Sequence, residues 1–328
     1  MRRPIVPAAS LGVAIGISLC CIGLAQAQYP NKPLRMITPY AAGGSTDLHG
    51  RMLAQRMQTM LGQTIVVEAK VGGSGIVATL EAIRAKPDGY TLLLGTSTNL
   101  IIAPAAVKPP PYDAIKELAT IAIIGIQPTM IVAHPELPAK SLKELIALLK
   151  ANPGKYNYGI AAGLSVNQLM MEMFKKQAGN LNVVAVSYKG TNEVTTDLMA
   201  GRIQLAAYPA TGAMDLYRTG RVRILATCSE VRLKTAPDIP TAIEGGLPDL
   251  VVLTFNAVSL AAATPKSIVD RLNQVIVKIM ASDAYIQDLD KLGMEPFVGS
   301  TPEKASQFIS DVATKWTPQL RELAEQQQ

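Results

Sequence analysis

The chain has almost nothing with which to hold a metal or build an activated nucleophile. Its 328 residues include three Cys, two His and one Trp. Cys20 and Cys21 sit together near the start and Cys228 stands alone. There is therefore no disulfide framework and no Cys/His spacing of the kind that ligates zinc. His49 and His134 are far apart in sequence, and no G-x-S-x-G elbow is present, so a hydrolase triad has no sequence foothold. No G-x-x-x-x-G-K-[ST] occurs, which excludes a P-loop enzyme. Lys and Arg are scattered singly among acids, giving no nucleic-acid stripe.

What is present begins with an address. Arg2 and Arg3 precede an uncharged apolar run, Ile5 to Leu24, and Ala25-Gln26-Ala27 follows. That is the pattern of a secretory signal peptide, residues 1–27, with cleavage expected before Gln28 and a periplasmic mature protein. A membrane anchor is the competing reading of a run this long; the small residues at the cleavage positions favour removal. Losing the two arginines lowers the formal charge from +6 to +4, a mild balance that suits anions without requiring them.

The stretch that organises the rest is Leu34 to Asp47. An apolar run typical of a buried strand enters the small-residue turn Ala41-Ala42-Gly43-Gly44-Ser45-Thr46. A helix follows with Leu48, Met52, Leu53, Met57, Met60 and Leu61 at helical spacing. Ser45 or Thr46 is a candidate N-cap, and Asp47 falls in the first turn, where negative charge is favoured. Gly44 is the residue at which a positive φ would make any side chain costly. The turn is either an anion cradle, its N–H groups gathered beside a helix N-terminus, or an ordinary strand-to-helix connection. His49 reads as a partly exposed helix residue, and the methionines as core filling.

Strand and helix signals then alternate. Thr64–Ala69 is a strand, Gly72-Gly73-Ser74-Gly75 opens a helix to Ala85, and Thr91–Gly95 is a strand followed by Thr96-Ser97-Thr98-Asn99. Gly73 to Ala78 fits G-x-G-x-x-A, but the next strand ends with no acidic residue for a ribose, which argues against dinucleotide binding. Two strand runs, Thr120–Ile126 and Thr129–Ala133, are split by Gln127-Pro128 and read as a first crossing between domains. A second α/β unit follows, from the helix capped by Ser141 to the strand Val222–Ala226. Val251–Phe255 and Val258–Ala262 read as the return crossing, and the remaining helices should pack back on the first domain. The expected fold class is α/β: a two-lobed, type II-like binding protein with parallel-rich sheets, lobe 1 being 29–125 plus 255–328 and lobe 2 being 126–254.

The segments Tyr29-Pro30-Asn31-Lys32-Pro33-Leu34-Arg35, Pro39 to Asp47, Pro87-Asp88-Gly89-Tyr90-Thr91, Tyr188-Lys189-Gly190, Asp238-Ile239-Pro240-Thr241 and Thr264 to Asn273 resemble, in this order, the Bug family. These are periplasmic receptors of tripartite tricarboxylate transporters. The resemblance implies a receptor that encloses a small carboxylate, di-, tricarboxylate or aromatic, and presents it to an inner-membrane permease. It implies no catalysis, cofactor, metal or nucleic-acid partner, and a monomer is expected. By residue match, Tyr40, Gly43, Gly44, Ser45, Thr46 and Asp47 would line the cleft, with Thr96 and Ser97 beside them. Ser165, Asn167, Gln168, Lys189 and Tyr208 of the second lobe are the candidates for reading the rest of the ligand. The segment Tyr158–Leu169 departs from the family where Gln168 replaces a usual histidine, and Phe255-Asn256-Ala257 replaces a common Trp-containing segment. The competing functions are a ligand sensor for a two-component system and a secreted hydrolase. Mass spectrometry of the exported protein should find an N-terminus at or next to Gln28; full-length chain held in the inner membrane would contradict the signal-peptide reading.

Overall fold

The computed structural model describes residues 29–161, 165–188 and 191–326; the signal-peptide region and Lys189 lie outside these. The first unit runs β1 (Leu34–Thr38), α1 (Ser45–Leu61), β2 (Ile65–Ala69), α2 (Ile76–Ile83), β3 (Thr91–Thr96). A π-helical turn, Thr98–Ile102, leads into the short helices α3 (Ala103–Ala106) and α4 (Ala114–Glu117). The long strand β4 (Leu118–Ala133) leaves this unit. The second unit comprises α5 (Leu142–Ala151), β5 (Asn157–Ala161), α6 (Val166–Gln177), β6 (Val184–Tyr188), α7 (Thr191–Met199), β7 (Leu205–Pro209), α8 (Ala210–Arg218) and β8 (Arg223–Thr227). The strand β9 (Leu253–Ala261) returns, and α9 (Lys266–Met280), α10 (Asp283–Lys291) and α11 (Pro302–Gln326) finish the chain.

Among the described residues the strands lie in the order β2-β1-β3-β9-β4-β7-β5-β6, with β8 also on β4. The outer pairs β1–β2, β1–β3, β5–β6 and β5–β7 are parallel. Helices cover both faces of these strands, which is why β1 and β3 read as nearly unbroken apolar runs. The central strands β4 and β9 run antiparallel to each other and to their other neighbours.

The sequence suggests two short strands at each crossing; the structure has one at each. Pro128 does not break β4, because it stands opposite Leu253 where the β9 ladder ends. Its missing N–H costs little there, and the next residue, Thr129, donates to the Val252 carbonyl at 3.0 Å. From Thr129 onward β4 pairs with β7 and β8. One strand thus serves both lobes.

Three apolar clusters fill the layers. One lies between the first half-sheet and α1, α9 and α10, around Met36, Leu53, Met57 and Leu272. Another lies under α7 and α8 in the second lobe. The largest is continuous across both, running from Ile37 and Leu93 through Ile131 and Phe255 to Phe174 and Trp316. Burying side chains of this size contributes about 1.5–3 kcal/mol each. This continuity corrects one expectation: α11 packs on β4 and α3 of the first unit but also on α6 of the second. Lys176 and Glu322 pair across that contact at 2.9 Å.

The buried stripe of α1 is also rotated from the expected one. His49, Leu53, Ala54 and Met57 are buried, whereas Leu48 is 49% exposed. Gly75, at the start of α2, has φ +91°, and a Cβ there would fall 2.6 Å from the Asn99 Cβ and 3.0 Å from that of Pro39. Gly62, with φ +67°, faces open space. Gly75→Ala should therefore lower stability by about 2 kcal/mol or more through overpacking plus backbone strain. Gly62→Ala carries the strain alone, about 1 kcal/mol. Equal shifts of the two urea midpoints would remove the close-approach argument.

Candidate functional site

The two lobes face each other across a cleft of about 330 Å³. Its lining falls into three groups. The first lobe supplies Tyr40, Thr46, Ser74, Thr96, Ser97 and Thr98; the second supplies Ser165, Val166, Asn167, Thr191, Pro209 and Thr211; the crossing strands supply Gln127, Thr254, Phe255 and Asn256. No charged side chain is among these residues.

The cleft's polarity comes from backbone. Thr46 is in the first turn of α1, Val166 and Asn167 in that of α6, Thr191 begins α7, and Thr211 is in the first turn of α8. Four helix N-termini thus point at one space, each carrying part of a positive macrodipole end and N–H groups without intrahelical partners. The caps of α1 and α8, Gly44 and Pro209, provide no side-chain hydrogen bond. The Ser165 hydroxyl caps α6, accepting from the Gln168 N–H at 3.3 Å.

The loop before α1 is held from inside. Asp47 is 1% exposed, and its Oδ2 accepts from the Gly43 N–H at 2.9 Å and from Arg51 Nε at 2.8 Å. Burial pushes the Asp47 carboxyl up, but the Arg51 hydrogen bond, the Gly43 N–H and the Arg51 charge outweigh it and hold the group below its ordinary value. This carboxylate clasps its own loop and is not part of the cleft lining. The Gly43 N–H is spent on it, and the Gly44 N–H reaches the Ala41 carbonyl at 3.3 Å. The left-handed residue is Gly43, φ +82°, whereas Gly44 is extended at φ −73°. Gly44, not Ser45 or Thr46, is the N-cap. The donors left for a ligand are those of the first helical turn.

A hydroxyl-amide chain fixes the next part of the wall. Asn99 Oδ1 accepts from the Thr96 N–H at 2.7 Å and from Thr96 Oγ1 at 2.9 Å, and Asn99 Nδ2 donates to Thr79 Oγ1 at 2.8 Å. Because the Thr96 hydroxyl proton goes to Asn99, the Tyr40 phenol donates to Thr96 Oγ1 at 3.1 Å. Burial raises the Tyr40 pKa, so the phenol stays neutral.

Of the residues expected at the site, Tyr40, Thr46, Thr96, Ser97, Ser165 and Asn167 line the cleft. Gly43 and Gly44 are exposed in the loop before α1 and are not in the lining; Ser45 opens α1 beside them. Gln168 is buried on α6 with an unpaired Oε1 and is not in the lining. Tyr208 is 2% exposed in the second-lobe core, with its hydroxyl 2.9 Å from that of Thr195. Lys189 lies outside the described residues. Sequence reading missed Gln127, Thr191, Thr211 and the crossing-strand residues Thr254 to Asn256; their signal, polar residues at the ends of apolar runs, is common to any strand end.

His49 departs most from expectation. It is fully buried, with Nε2 2.7 Å from the Tyr285 hydroxyl and Nδ1 2.7 Å from Asn256 Nδ2. Burial pushes its pKa down to about 3, so the ring is neutral near pH 7. Cys228 is also fully buried, which pushes its thiol up and leaves it unreactive. Among the described residues no three His, Cys, Asp or Glu side chains gather to hold a metal.

A cleft between two α/β lobes joined by two crossing strands, with described walls that carry no charged side chain and helix N-termini around it, defines a solute-binding protein. The model of the tripartite tricarboxylate transporter family receptor matches residues 50–324, and the chain belongs to that family. It is 32% identical over 313 residues to protein BugT of Bordetella pertussis, covering 94% of this chain and 95% of BugT. Among solved structures, one described as a periplasmic transporter is 34% identical with TM-score 0.78, covering 91% of this chain and 98% of its own. Periplasmic binding protein BugD is 30% identical with TM-score 0.76, covering 90% and 99%. The R. palustris protein Rpa4515, solved with adipate, is 26% identical with TM-score 0.80, covering 90% and 98%.

The neutral His49 makes stability depend on pH with a definite sign. Its folded pKa lies below the ordinary value near 6.5, so the unfolded chain takes up the proton first. The stability from keeping it neutral is complete above about pH 6.5 and is lost as pH falls from there toward 3. Between pH 7 and 5 this amounts to about 2 kcal/mol. Urea unfolding of wild type and His49→Gln at both pH values should show that extra loss only in wild type; parallel losses would contradict it.

Proposed function

We propose that this chain captures a small carboxylate in the periplasm and delivers it to a tripartite tricarboxylate permease in the inner membrane, without turning it over. The observation that carries this reading is the convergence of the N-termini of α1, α6, α7 and α8 on one cleft that, among the described residues, no charged side chain lines. An anion is favoured there by N–H donors and helix dipoles, while among the described residues no base, nucleophile or metal set stands beside it. Membership of the receptor family supports the transport role, and the adipate in Rpa4515 supports the ligand class. We take 29–125 plus 255–328 and 126–254 as the lobes that close on the ligand, and Thr46, Thr96 and Ser97 as its first-lobe contacts, with Ser165 and Asn167 opposite. Removal of residues 1–27 on export belongs to the same reading.

A thermal-shift panel of mono-, di- and tricarboxylates, aromatic acids, amines and neutral sugars tests it, because bound ligand raises the melting temperature by mass action. At least one acid should shift it, and the acid should be recovered unchanged. Gly43→Val should weaken that acid at least about tenfold, equivalent to about 1.4 kcal/mol, by straining the left-handed residue beside the α1 N-terminus. Shifts with amines or sugars alone would remove the anion reading.

A further inference from the structure

Asn256 stands in the cleft wall on β9, opposite Gly125 of β4. Its Nδ2 meets His49 Nδ1 at 2.7 Å; His49 Nε2 meets the Tyr285 hydroxyl at 2.7 Å; that hydroxyl lies 3.1 Å from the Ile124 carbonyl. All three side chains are buried. The far end of the chain fixes the near one. The Ile124 carbonyl can only accept, and the register of β4 on β9 skips this residue. The Tyr285 hydroxyl has one proton, and giving it to Ile124 leaves its oxygen to accept. His49 Nε2 must then carry the imidazole proton, so Nδ1 is a lone pair, which only the NH₂ side of the Asn256 amide can meet. Reversing every proton would turn Asn256 Oδ1 to the ring but strand the buried Ile124 carbonyl, at a cost of about 1–3 kcal/mol. The opposite strand makes room for this ring: a Cβ on Gly125 would lie 3.0 Å from His49 Cε1.

We propose that His49 is a positioning residue that turns the Asn256 amide oxygen into the cleft, so that the preferred ligand is a carboxylate bearing a hydroxyl or amino donor. This rests on the reading of the cleft as a carboxylate site. Asn256 Oδ1 has no protein donor among the described residues, and an acceptor fixed in a wall penalises a second carboxylate oxygen while rewarding O–H or N–H. A freely turning amide would serve either, and the relay removes that freedom. A site that hydrogen-bonds a substrate hydroxyl rejects the analogue lacking it more strongly than an apolar wall rejects an added one.

Calorimetric titration at neutral pH with matched acids tests the proposal: succinate against malate and aspartate, glutarate against 2-hydroxyglutarate and glutamate. In wild type at least one substituted acid should bind about tenfold or more tighter than its plain partner, the worth of one hydrogen bond. Asn256→Leu should bring that ratio close to one. Tyr285→Phe, remote from the cleft, frees the imidazole tautomer and should cut the ratio to about threefold or less while plain acids bind as before. A merely structural Tyr285 would lower the melting temperature and leave the ratio unchanged. Equal binding of plain and substituted acids in wild type overturns the donor preference but leaves the carboxylate reading standing. A ratio lost in Asn256→Leu but kept in Tyr285→Phe overturns the role of His49. Binding of no acid at all overturns both.

Discussion

The constraint on which this architecture depends is that a buried strand leaving one lobe for another must keep its backbone groups paired throughout. An unpaired buried peptide group costs about 1–3 kcal/mol, and β4 spans 16 residues. It meets the requirement by exchanging partners: β9 as far as Pro128, then β7 and β8 from Thr129. Proline falls where the exchange makes an N–H dispensable. Where the β4–β9 register slips at Ile124, a side chain from α10 supplies the missing donor. The crossing strands are therefore long, antiparallel and central, and the parallel units hang on either side of them.

The cleft's chemistry follows from that arrangement. In an α/β unit each helix begins just beyond the carboxyl end of the preceding strand, and ligands collect there. The strands β1, β5, β6 and β7 each feed the helix whose N-terminus reaches the cleft. Two such units joined by β4 and β9 turn these ends toward one another. The site gains a positive potential without a lysine or arginine in its described wall.

Much of the parallel framework was legible because its cues are local: apolar runs for β1, β2 and β3, Gly-rich turns before α1 and α2, and Ser141 capping α5. The crossings were not legible, because Pro128 reads as a breaker until its place at the end of a ladder is known. His49 lay four residues before Leu53, at the spacing of the buried stripe, yet a polar side chain there reads as exposed; only its partners from 236 and 207 residues away make burial affordable. Asp47 shows the reverse error. First-turn acids favour a helix N-terminus, and family likeness placed this one in the cleft, but its bonds to Gly43 and Arg51 make it the clasp of the loop. Tyr40, Thr46, Thr96 and Ser97 were expected near the cleft because they follow strands directly, while Thr191, Thr211 and Asn256 depended on which strand ends the fold brings together.

A receptor that delivers its ligand must hold a charge firmly and still release it, and the neutral donors that the described residues place in the wall suit both needs. Hydrogen bonds to a charged group contribute about 1.5–3 kcal/mol each. A lysine or arginine buried in the wall would add attraction, but would be left as an uncompensated charge in a closed empty cleft. Helix N-termini carry only partial charge, so the ligand-free cleft avoids that penalty. The donors also come from both lobes, α1 on one side and α6, α7 and α8 on the other. Separating the lobes removes one set of contacts at a stroke, because differential affinity for the closed state is what couples ligand to closure. The relay through His49 adds a direction to this balance: its hydrogen bonds join α1, α10 and the crossing strands β4 and β9 and use no residue of the helices α6, α7 and α8. On the proposed reading both lobes meet the charge together, whereas the Asn256 amide is oriented by protein groups alone.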